Sequence, residues 1–538
     1  MNINVSLFLD LMSNKILVCD QSISILVDEK SFPFSELEFH SMKIRRFQFL
    51  TSLSLLLIFS LFPSFSRAQN NPTFTLKELV QQARDNSPAA LRAKNRKENS
   101  FWQYRLFRSN YNPQLRLTGT IPQYYQSYNQ ITQPDGSIEF LEVKQNLMDL
   151  GLGLEQVIGA TGGTVSVNTS TTRFDNFLSY PGEPKTQYSG VPVSVALQQP
   201  IFAYNVYKWD KKIEPLIFEE SQRAYVKEME EVSIYVTQLY FEYLIAQVNS
   251  EIATSNLNNT ENIFTIEKKR NEIGVTPEDE LLQVELQVLN AQQEMAEAQL
   301  ELESAAFSMN SFIGLNQSSK LNLISPENIP DFEVDVDRAI ELAFQNRAEA
   351  IGFDRQKIEA ASALAQAKGQ RFQVMLNARY GYNNAALNFP DIYQNPNTQS
   401  LVSLGLSVPI LDWGRNKARM SMAMANQDLV ENTLAQEKIT FEQEIFTKVK
   451  NFLMIKERLN VTKVSDDVAQ RRYDIALRRY QTGNVTISNL NIAQNEKDSN
   501  KRAFYTSLRD FWMAYYELRS LTLYDFENDQ LLYVPEKQ

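Results

Sequence analysis

The sequence predicts a mainly α-helical chain with a membrane β portion, in which one structural unit occurs twice. Three observations support this fold class. One segment recurs 260 residues further along, two stretches of more than 55 residues contain no Gly or Pro, and segments before those stretches alternate apolar with polar residues. Uninterrupted stretches of this length favour long helices, whereas alternation with a period of two is typical of strands that face two different media.

The first 68 residues are predicted to precede the mature chain. Three basic residues come before Leu50–Phe62, an apolar run of about 13 residues that is too short to cross a bilayer as a helix. Ser66-Arg67-Ala68 places small residues at the two positions that a signal peptidase reads, so we expect the mature chain to begin at Gln69. Residues 42–68 therefore read as a signal peptide. We interpret residues 1–41 as a mis-assigned start, with an unusually long leader as the alternative.

The composition excludes most kinds of catalytic chemistry. The only cysteine, Cys19, and the only histidine, His40, both lie before the expected mature chain. Disulfides, thiolate or histidine catalysis and nearly all zinc sites are therefore excluded. Glycine is scarce, no phosphate-binding loop occurs, and the net charge of −11 argues against nucleic-acid binding. We expect a protein that is not an enzyme, with no catalytic, cofactor-binding or metal-binding residues and no cofactor.

Two copies of one unit fill the mature chain. Val80–Asn86 matches Ile340–Asn346 at a distance of 260 residues, whereas Pro200–Phe202 matches Pro409–Leu411 at a distance of 209 residues. The first copy therefore carries 51 extra residues, and a period this long indicates a two-fold duplication rather than a solenoid. The expected division is a first repeat at 69–314, a linker at 315–336, a second repeat at 337–523 and a C-terminal tail at 524–538.

Each copy has the same order of elements: an opening helix, a strand region, a long helix, a glycine turn and a shorter return helix. The second long helix would reach about 100 Å at 1.5 Å per residue. Each return helix needs another helix to complete that length, and the opening helix is the candidate. The expected spans are Thr75–Arg108 and Asp337–Gly369 for the opening helices, about 113–200 and 373–409 for the strand regions, Leu216–Ile273 and Arg415–Thr482 for the long helices, and Glu278–Phe312 and Ile487–Leu523 for the return helices.

Local signals refine these elements. Pro215 is expected to set the beginning of the first long helix or a kink in it. Thr276 followed by Pro277 is typical of a helix N-cap and first turn. One face of each long helix carries an apolar stripe with 4-4-3-3 spacing, as coiled-coil packing needs. The stripes are Val232, Val236, Tyr240, Tyr243 and Ala246 in the first copy, and Phe441, Ile445, Val449, Phe452 and Ile455 in the second.

Three short segments carry a resemblance to a known family. They are Pro409-Ile410-Leu411-Asp412-Trp413-Gly414, Arg479-Tyr480-Gln481-Thr482-Gly483 and Arg270-Asn271-Glu272-Ile273-Gly274. Together with the duplication, the signal peptide and the helix lengths, they make the chain from about Thr75 to Leu523 resemble the TolC family of outer-membrane efflux proteins. The first copy departs from the pattern, since Asn205 stands where the second copy has Gly414.

The resemblance implies a homotrimer. Each chain would give four strands to a shared twelve-strand β-barrel, and the duplicated helical hairpins would form a hollow periplasmic α-barrel. Tyrosines in the strand regions would suit the aromatic girdle of such a barrel, with surface tyrosines on soluble strands as the alternative. These tyrosines are Tyr124, Tyr125, Tyr128, Tyr380, Tyr382 and Tyr393. The 51 extra residues, between Pro113 and Pro200, are expected to form an added hairpin at the outer face that extends or covers the barrel mouth.

The resemblance also implies a function. The chain would be the outer-membrane channel of a tripartite efflux or type I secretion system, a passive duct in the outer-membrane lipid. Its partners would be a periplasmic adaptor and an inner-membrane RND or ABC transporter, which supplies the energy. The alternative is a periplasmic coiled-coil adaptor or scaffold without a pore, although adaptors usually carry a single hairpin with glycine-rich domains that are absent here.

The glycine turns are the expected contact with the adaptor. The candidate residues are Arg270 and Gly274 in the first copy, and Arg479 and Gly483 in the second. The alternative is that these arginines only favour the negative C-terminal end of each long helix.

The resemblance further implies a pore gate just past each turn, because some family members narrow their entrance there with a ring of acids. Glu280 lies six residues after the first tip glycine, and Asn489 stands at the equivalent place in the second copy. An amide in place of an acid predicts a weaker acidic ring. The alternative for Glu280 is an acid that only favours the start of its helix.

Overall fold

The computed structural model describes residues 73–178, 182–314 and 321–535. The expected signal peptide and the segment before it lie outside the described residues. Among the described helices, none is both long and apolar enough to cross a membrane. The helices are α1 (Leu76–Asn86), α2 (Pro88–Ser109), α3 (Val206–Glu272), α4 (Glu278–Ile313), α5 (Val336–Asn346), α6 (Ala348–Gly369), α7 (Arg415–Gln481) and α8 (Ile487–Thr522). The strands are β1 (Thr73–Phe74), β2 (Gln114–Thr132), β3 (Ile138–Ile158), β4 (Gly163–Asn176), β5 (Thr186–Ile201), β6 (Asn322–Leu323), β7 (Gln373–Ala386), β8 (Asn397–Ser407), β9 (Tyr524–Asp525) and β10 (Gln530–Leu531).

Each opening helix is two helices in the structure, so the expectation of one continuous helix was wrong. The backbone becomes extended at Ser87, with φ −65° and ψ 146°, and at Arg347, with φ −70° and ψ 148°. The proline after Ser87 disfavours helical backbone there, and Ser87 caps α2 by accepting from the Ala90 N–H at 3.1 Å. Arg347 has no following proline. Its guanidinium instead lies 4.7 Å from the centre of the Phe441 ring and pairs with Glu349 at 2.7 Å.

The long helices α3 and α7 are each 67 residues long, or about 100 Å at 1.5 Å per residue. The second begins where expected and ends one residue early, at Gln481, but the first begins ten residues earlier than expected, at Val206. Asn205 fixes that beginning because its side chain accepts from the Lys208 N–H at 3.2 Å. Pro215 therefore lies inside α3 and does not start it. The return helices α4 and α8 are each 36 residues long and end within one residue of the expected positions.

Shorter helices pack against each long helix. In the first repeat, α4, α1 and α2 all contact α3, and in the second repeat α8, α5 and α6 contact α7. Contacts of α3 with α8 and with α6 join the two repeats. All ten residues of the expected stripes are buried. Burying one aliphatic or aromatic side chain contributes roughly 1.5–3 kcal/mol, and this packing stabilises helices that propensity alone would leave marginal.

A buried ionic cluster joins both repeats to the C-terminal tail. Glu230 of α3, whose side chain is 2 % exposed, accepts from Arg84 of α1 at 2.5 Å and from Arg519 of α8 at 3.1 Å. Arg519 also donates to Asp525 of β9. Burial alone would lower the pKa of Arg519, but the charges of Glu230 and Asp525 raise it above its ordinary value. Removing Glu230 would leave Arg84 without its carboxylate and Arg519 with Asp525 alone, at a cost of about 3–5 kcal/mol.

Six strands form one antiparallel sheet in the order β2-β3-β4-β5-β7-β8. The first repeat contributes four of these strands and the second contributes two. The expectation of four strands per chain was therefore wrong. Two further sheets of two strands each, β1 with β6 and β9 with β10, lie elsewhere among the described residues.

The extra residues of the first repeat lie inside this sheet, so the expectation of a hairpin at the barrel mouth was also wrong. They include β3 and β4, which stand between β2 and β5. β3 pairs with β2 from Gln114↔Glu155 to Thr132↔Ile138, and β4 pairs with β5 from Thr164↔Gln198 to Asp175↔Thr186. An inserted hairpin carries backbone donors and acceptors on both of its outer edges, and pairing with β2 and β5 satisfies them.

Candidate functional site: the hairpin tips and the two-faced sheet

The six-stranded sheet has one apolar face and one polar face. The strand register places the alternate residues of each strand on the same face as their partners in the next strand. The apolar face includes Leu115, Leu117, Leu152, Leu154, Val167, Val195, Leu197, Leu376, Leu404 and Leu406. The polar face includes Arg116, Thr118, Gly151, Gly153, Ser166, Asn168, Ser194, Asn377 and Ser403. A sheet with this alternation suits lipid on one side and water on the other.

Tyrosines follow the apolar residues along two strands. Tyr380 and Tyr382 lie on the apolar face of β7, with ring centroids 6.3 Å apart, and Tyr124 and Tyr128 lie on the same face of β2. These four positions agree with an aromatic girdle. Tyr125 lies on the polar face, contrary to its grouping with them. The sixth expected tyrosine, at position 393, ends the short 3₁₀ helix Phe389–Tyr393 between β7 and β8.

Each helical hairpin turns at a glycine with left-handed backbone. Gly274 has φ +74° and Gly483 has φ +75°, a conformation that other L-residues rarely adopt. Each turn closes with the same pair of backbone bonds. Val275 N–H donates to the Arg270 carbonyl at 2.8 Å in the first copy, and the corresponding bond of the second copy is 2.9 Å. A Cβ at either glycine would meet no atom within 4 Å, so backbone conformation alone requires glycine there.

The two tip arginines have different surroundings. Arg270 is half-buried and pairs with Glu267 at 2.9 Å. Arg479 is exposed and forms no ion pair with a described residue. Of the two, Arg479 is therefore the more available to a partner protein.

Glu267 lies at the centre of a cluster that joins the two hairpins near their turns. We call Glu267, Arg270, Thr276 and Tyr480 the tip cluster. The Tyr480 hydroxyl donates to one carboxylate oxygen of Glu267 at 2.7 Å, and the Thr276 hydroxyl donates to the other at 2.6 Å. Tyr480 belongs to α7 and Glu267 to α3, so this bond crosses from one repeat to the other over 213 residues of sequence.

The tip cluster perturbs the titration of its members. Burial alone would raise the pKa of Glu267, but the hydrogen bonds from Thr276 and Tyr480 and the charge of Arg270 outweigh it, so the pKa lies below its ordinary value. Burial and the hydrogen bond to Glu267 raise the pKa of Tyr480. The carboxylate is therefore held in its charged form and the phenol in its neutral form.

Sequence reasoning missed Glu267 and Tyr480 and misread one neighbour of them. Thr276 does not cap α4, because its hydroxyl is engaged by Glu267, and Pro277 takes the N-cap position without a side-chain bond. The missed signal was a difference between the copies. Glu267 corresponds to an alanine at position 476, and Tyr480 corresponds to an asparagine at position 271.

Glu280 and Asn489 occupy equivalent places in the first turns of α4 and α8, and both are exposed. The Thr486 hydroxyl caps α8 by accepting from the Asn489 N–H at 3.4 Å. Exposure agrees with a pore-facing position and equally with a helix-opening acid. The described residues contain no group of His, Cys, Asp or Glu that could hold a metal ion.

Comparisons with known proteins place this architecture in a family. The sequence profile described as "Outer membrane efflux protein" matches residues 161–315 and 335–522. Among solved structures, the Campylobacter jejuni CmeC outer membrane channel is 16 % identical with a TM-score of 0.59, and the match covers 83 % of this chain and 85 % of that one. The Vibrio cholerae outer membrane protein VceC is 15 % identical with a TM-score of 0.58, and the match covers 83 % of this chain and 95 % of that one. A search of curated protein sequences gave no match.

The second profile match spans the second repeat, the first covers the first repeat from residue 161 onward, and together they cover more than half of the chain. Members of the matched family are outer-membrane efflux channels and not enzymes. The solved structures share the fold. The chain therefore belongs to the outer membrane efflux protein family.

Proposed function

We propose that this protein is the outer-membrane duct of a tripartite efflux or type I secretion system, through which cargo passes without chemical change. One observation carries the proposal. The same chain combines a sheet that is apolar on one face and polar on the other with helical hairpins about 100 Å long that end in exposed turns. The sheet suits an outer membrane, and helices of that length suit a passage across the periplasm.

The working form is a homotrimer. Both β2 and β8 are edge strands of the sheet, and unpaired backbone groups are not tolerated in lipid, so one chain cannot stand in the membrane alone. We expect a trimer in mild detergent and recovery of the protein with the detergent-resistant outer membrane. Recovery only as a monomer at micromolar concentration, or release with the soluble periplasm, would instead favour a scaffold without a pore.

The hairpin tips are the surface that meets a periplasmic adaptor. Their exposed glycine turns and the exposed Arg479 support this assignment, and the adaptor in turn contacts an inner-membrane RND or ABC transporter that supplies the energy. We expect Arg479→Glu to weaken export in the native host while the amount of trimer in the outer membrane stays unchanged. The matched control is Arg471→Glu, two turns further up α7, where the exposed arginine already pairs with Asp467 at 2.8 Å. Equal export defects in both variants would argue against tip recognition.

Glu280 and Asn489 are the proposed gate residues. Three copies would present three carboxylates from the first repeat and three uncharged amides from the second. Rings of carboxylates concentrate cations, and fewer charges do so less strongly. We therefore expect a modest preference for cations.

A further inference from the structure

We propose that three copies of this chain close an eighteen-strand barrel, in which the extra hairpin of the first repeat forms one third of the wall. This inference rests on the proposed trimeric duct, and it adds the number of strands and the width of the part in the membrane. Eighteen strands follow from six strands per chain in one continuous sheet.

The hairpin β3–β4 continues the wall on both of its faces. On the apolar face, Leu152 of β3 lies opposite Leu117 of β2, and Val167 of β4 lies opposite Val195 of β5. On the polar face, Gly151 lies opposite Thr118 and Ser170. A hairpin standing in water above the membrane would not need its apolar and polar residues in register with those of its neighbours. The match indicates that β3 and β4 face the same two media as the rest of the sheet.

The two edges of the sheet are suited to each other. Nearly every residue of β2 and of β8 is exposed, unlike those of the strands between them. Large apolar side chains are exposed beside both edges. Leu404 and Leu406 are each 65 % exposed on β8, and Leu115 and Leu117 are 68 % and 66 % exposed on β2. Because the chain holds an even number of alternating strands, β8 of one copy meets β2 of the next in antiparallel orientation. The β2 edge and the β8 edge differ in their residues, so each contact joins β8 of one copy to β2 of the next. Three such contacts close a ring.

The duplication predicts the register of this contact. β5 ends the first repeat's strands and pairs with β7, which opens the second repeat's strands, with Gln199 opposite Leu376. Position 408 is equivalent to position 199 by the 209-residue distance. In the strands, Leu117 of β2 is equivalent to Leu376 of β7, because each is the fourth residue of its strand and lies on the apolar face, which is one residue off the 260-residue distance of the opening helices. Val408 should therefore lie opposite Leu117 of the next copy.

An eighteen-strand wall fits the helical part in width. With strands about 4.8 Å apart and tilted by about 40°, twelve strands give a barrel of about 24 Å backbone diameter and eighteen give about 36 Å. Each repeat places two helices side by side at each level, so three copies form a ring of about twelve helices, roughly 31–39 Å across at 8–10 Å spacing. At this tilt, the eighteen-strand barrel has about the same width as that ring. Its polar face carries small residues on the extra hairpin, among them Gly153 and Ser166, which leave the passage open to bulky or polypeptide cargo.

Cysteine pairs test the wall directly, because the expected mature chain contains no cysteine. Leu117→Cys with Leu152→Cys joins adjacent strands and should form a disulfide in the assembled protein. Leu117→Cys with Val195→Cys spans three strand spacings, about 14 Å, which is beyond the roughly 4.4–6.8 Å between Cα atoms that a disulfide allows. This second pair should stay reduced. Deleting Phe140–Asn176 removes most of the hairpin and should bring the two thiols of the second pair into bonding distance. A disulfide between positions 117 and 195 in the undeleted chain would overturn the eighteen-strand wall.

A separate pair of cysteine substitutions tests the contact between neighbouring copies. Val408→Cys with Leu117→Cys should give covalent trimers, whereas Ser407→Cys with Leu117→Cys, whose first residue points to the opposite face, should not. The predicted register would be overturned if both pairs formed disulfides equally well. It would also be overturned if neither pair formed a disulfide in a preparation that is trimeric by mass. Absence of trimers by mass as well would count against the proposed function itself. End-on cryo-electron microscopy of the trimer should resolve eighteen strands in a wall about 36 Å across, and a wall of twelve strands would refute the proposal.

Discussion

The bond between Tyr480 and Glu267 gives the sharpest test of how the two hairpins are held together at their turns. Tyr480→Phe removes one hydroxyl and leaves the ring in its apolar cluster with Ile263, Val284 and Leu490. We expect the two turns to separate locally more often, because the carboxylate then loses one of its three donors.

The size of the effect follows from burial and charge. The Tyr480 residue is 6 % exposed and the Glu267 side chain is 8 % exposed, so solvent replaces little of the lost bond. A hydrogen bond to a charged group contributes about 1.5–3 kcal/mol, which corresponds to a roughly 10- to 150-fold rise in the locally open population. Tyr473→Phe is the matched control. Its hydroxyl accepts a longer, neutral bond from Asn259 at 3.3 Å, worth about 0.5–1.5 kcal/mol.

Amide hydrogen exchange of the assembled protein measures this opening. In the Tyr480→Phe variant, the amides that close the two turns should exchange faster by the stated factor, while amides of the buried stripes should keep their protection. Unchanged exchange at both turns, or an effect no larger than that of the Tyr473→Phe control, would refute the reasoning.

Acid should produce the same opening in the unmodified protein. The pKa of Glu267 is lower in the folded protein than its ordinary value of 4.5, so its stabilisation is fully present above that value and is lost as the pH falls through the folded pKa. Protection of the turns should therefore decline below about pH 4.5. Glu267→Gln should remove this pH dependence, and persistence of the dependence in that variant would assign it to another group.

Three further predictions concern stability and conduction. Glu230→Ala should lower the free energy of unfolding by about 3–5 kcal/mol in denaturant titrations. The control Glu228→Ala breaks a pair with Arg96 in which the glutamate side chain is 25 % exposed and the arginine side chain 67 % exposed, and it should cost about 1 kcal/mol or less. Gly483→Ala should destabilise its turn by about 1–2 kcal/mol through the positive φ, as read from amide exchange. Gly483→Asn should cost less because asparagine tolerates that backbone, and equal costs for the two variants would contradict the backbone explanation. Glu280→Gln should remove most of the modest cation preference and of any block by trivalent cations in planar-bilayer recordings, and unchanged recordings would leave Glu280 as a helix-opening acid.

Much of the helical architecture could be predicted from the sequence because its signals are local. The 67-residue length of α7 follows from the absence of Gly and Pro, and its end follows from Gly483. The stripe residues are buried as their spacing predicts. Two failures overlooked local signals, namely Pro88 after Ser87 and the N-cap at Asn205. At Arg347 the contact is with a neighbour distant in sequence. Arg347 breaks its opening helix without a proline and stacks on Phe441, and no local pattern announces that contact.

The sequence by itself determined the duplication, the length of the second long helix and the glycine turns, since each depends on residue types and short spacings. Only the tertiary structure decided where the extra hairpin lies. β4 pairs with β5 across a short connection, but β5 pairs with β7 over a separation of more than 170 residues, and period-two alternation is the same for a hairpin inside the wall and one outside it. Strand pairing between distant segments is set by which edges can satisfy each other's backbone groups. The same holds for Glu267 and Tyr480, whose bond exists only because two hairpins that are far apart in sequence end side by side.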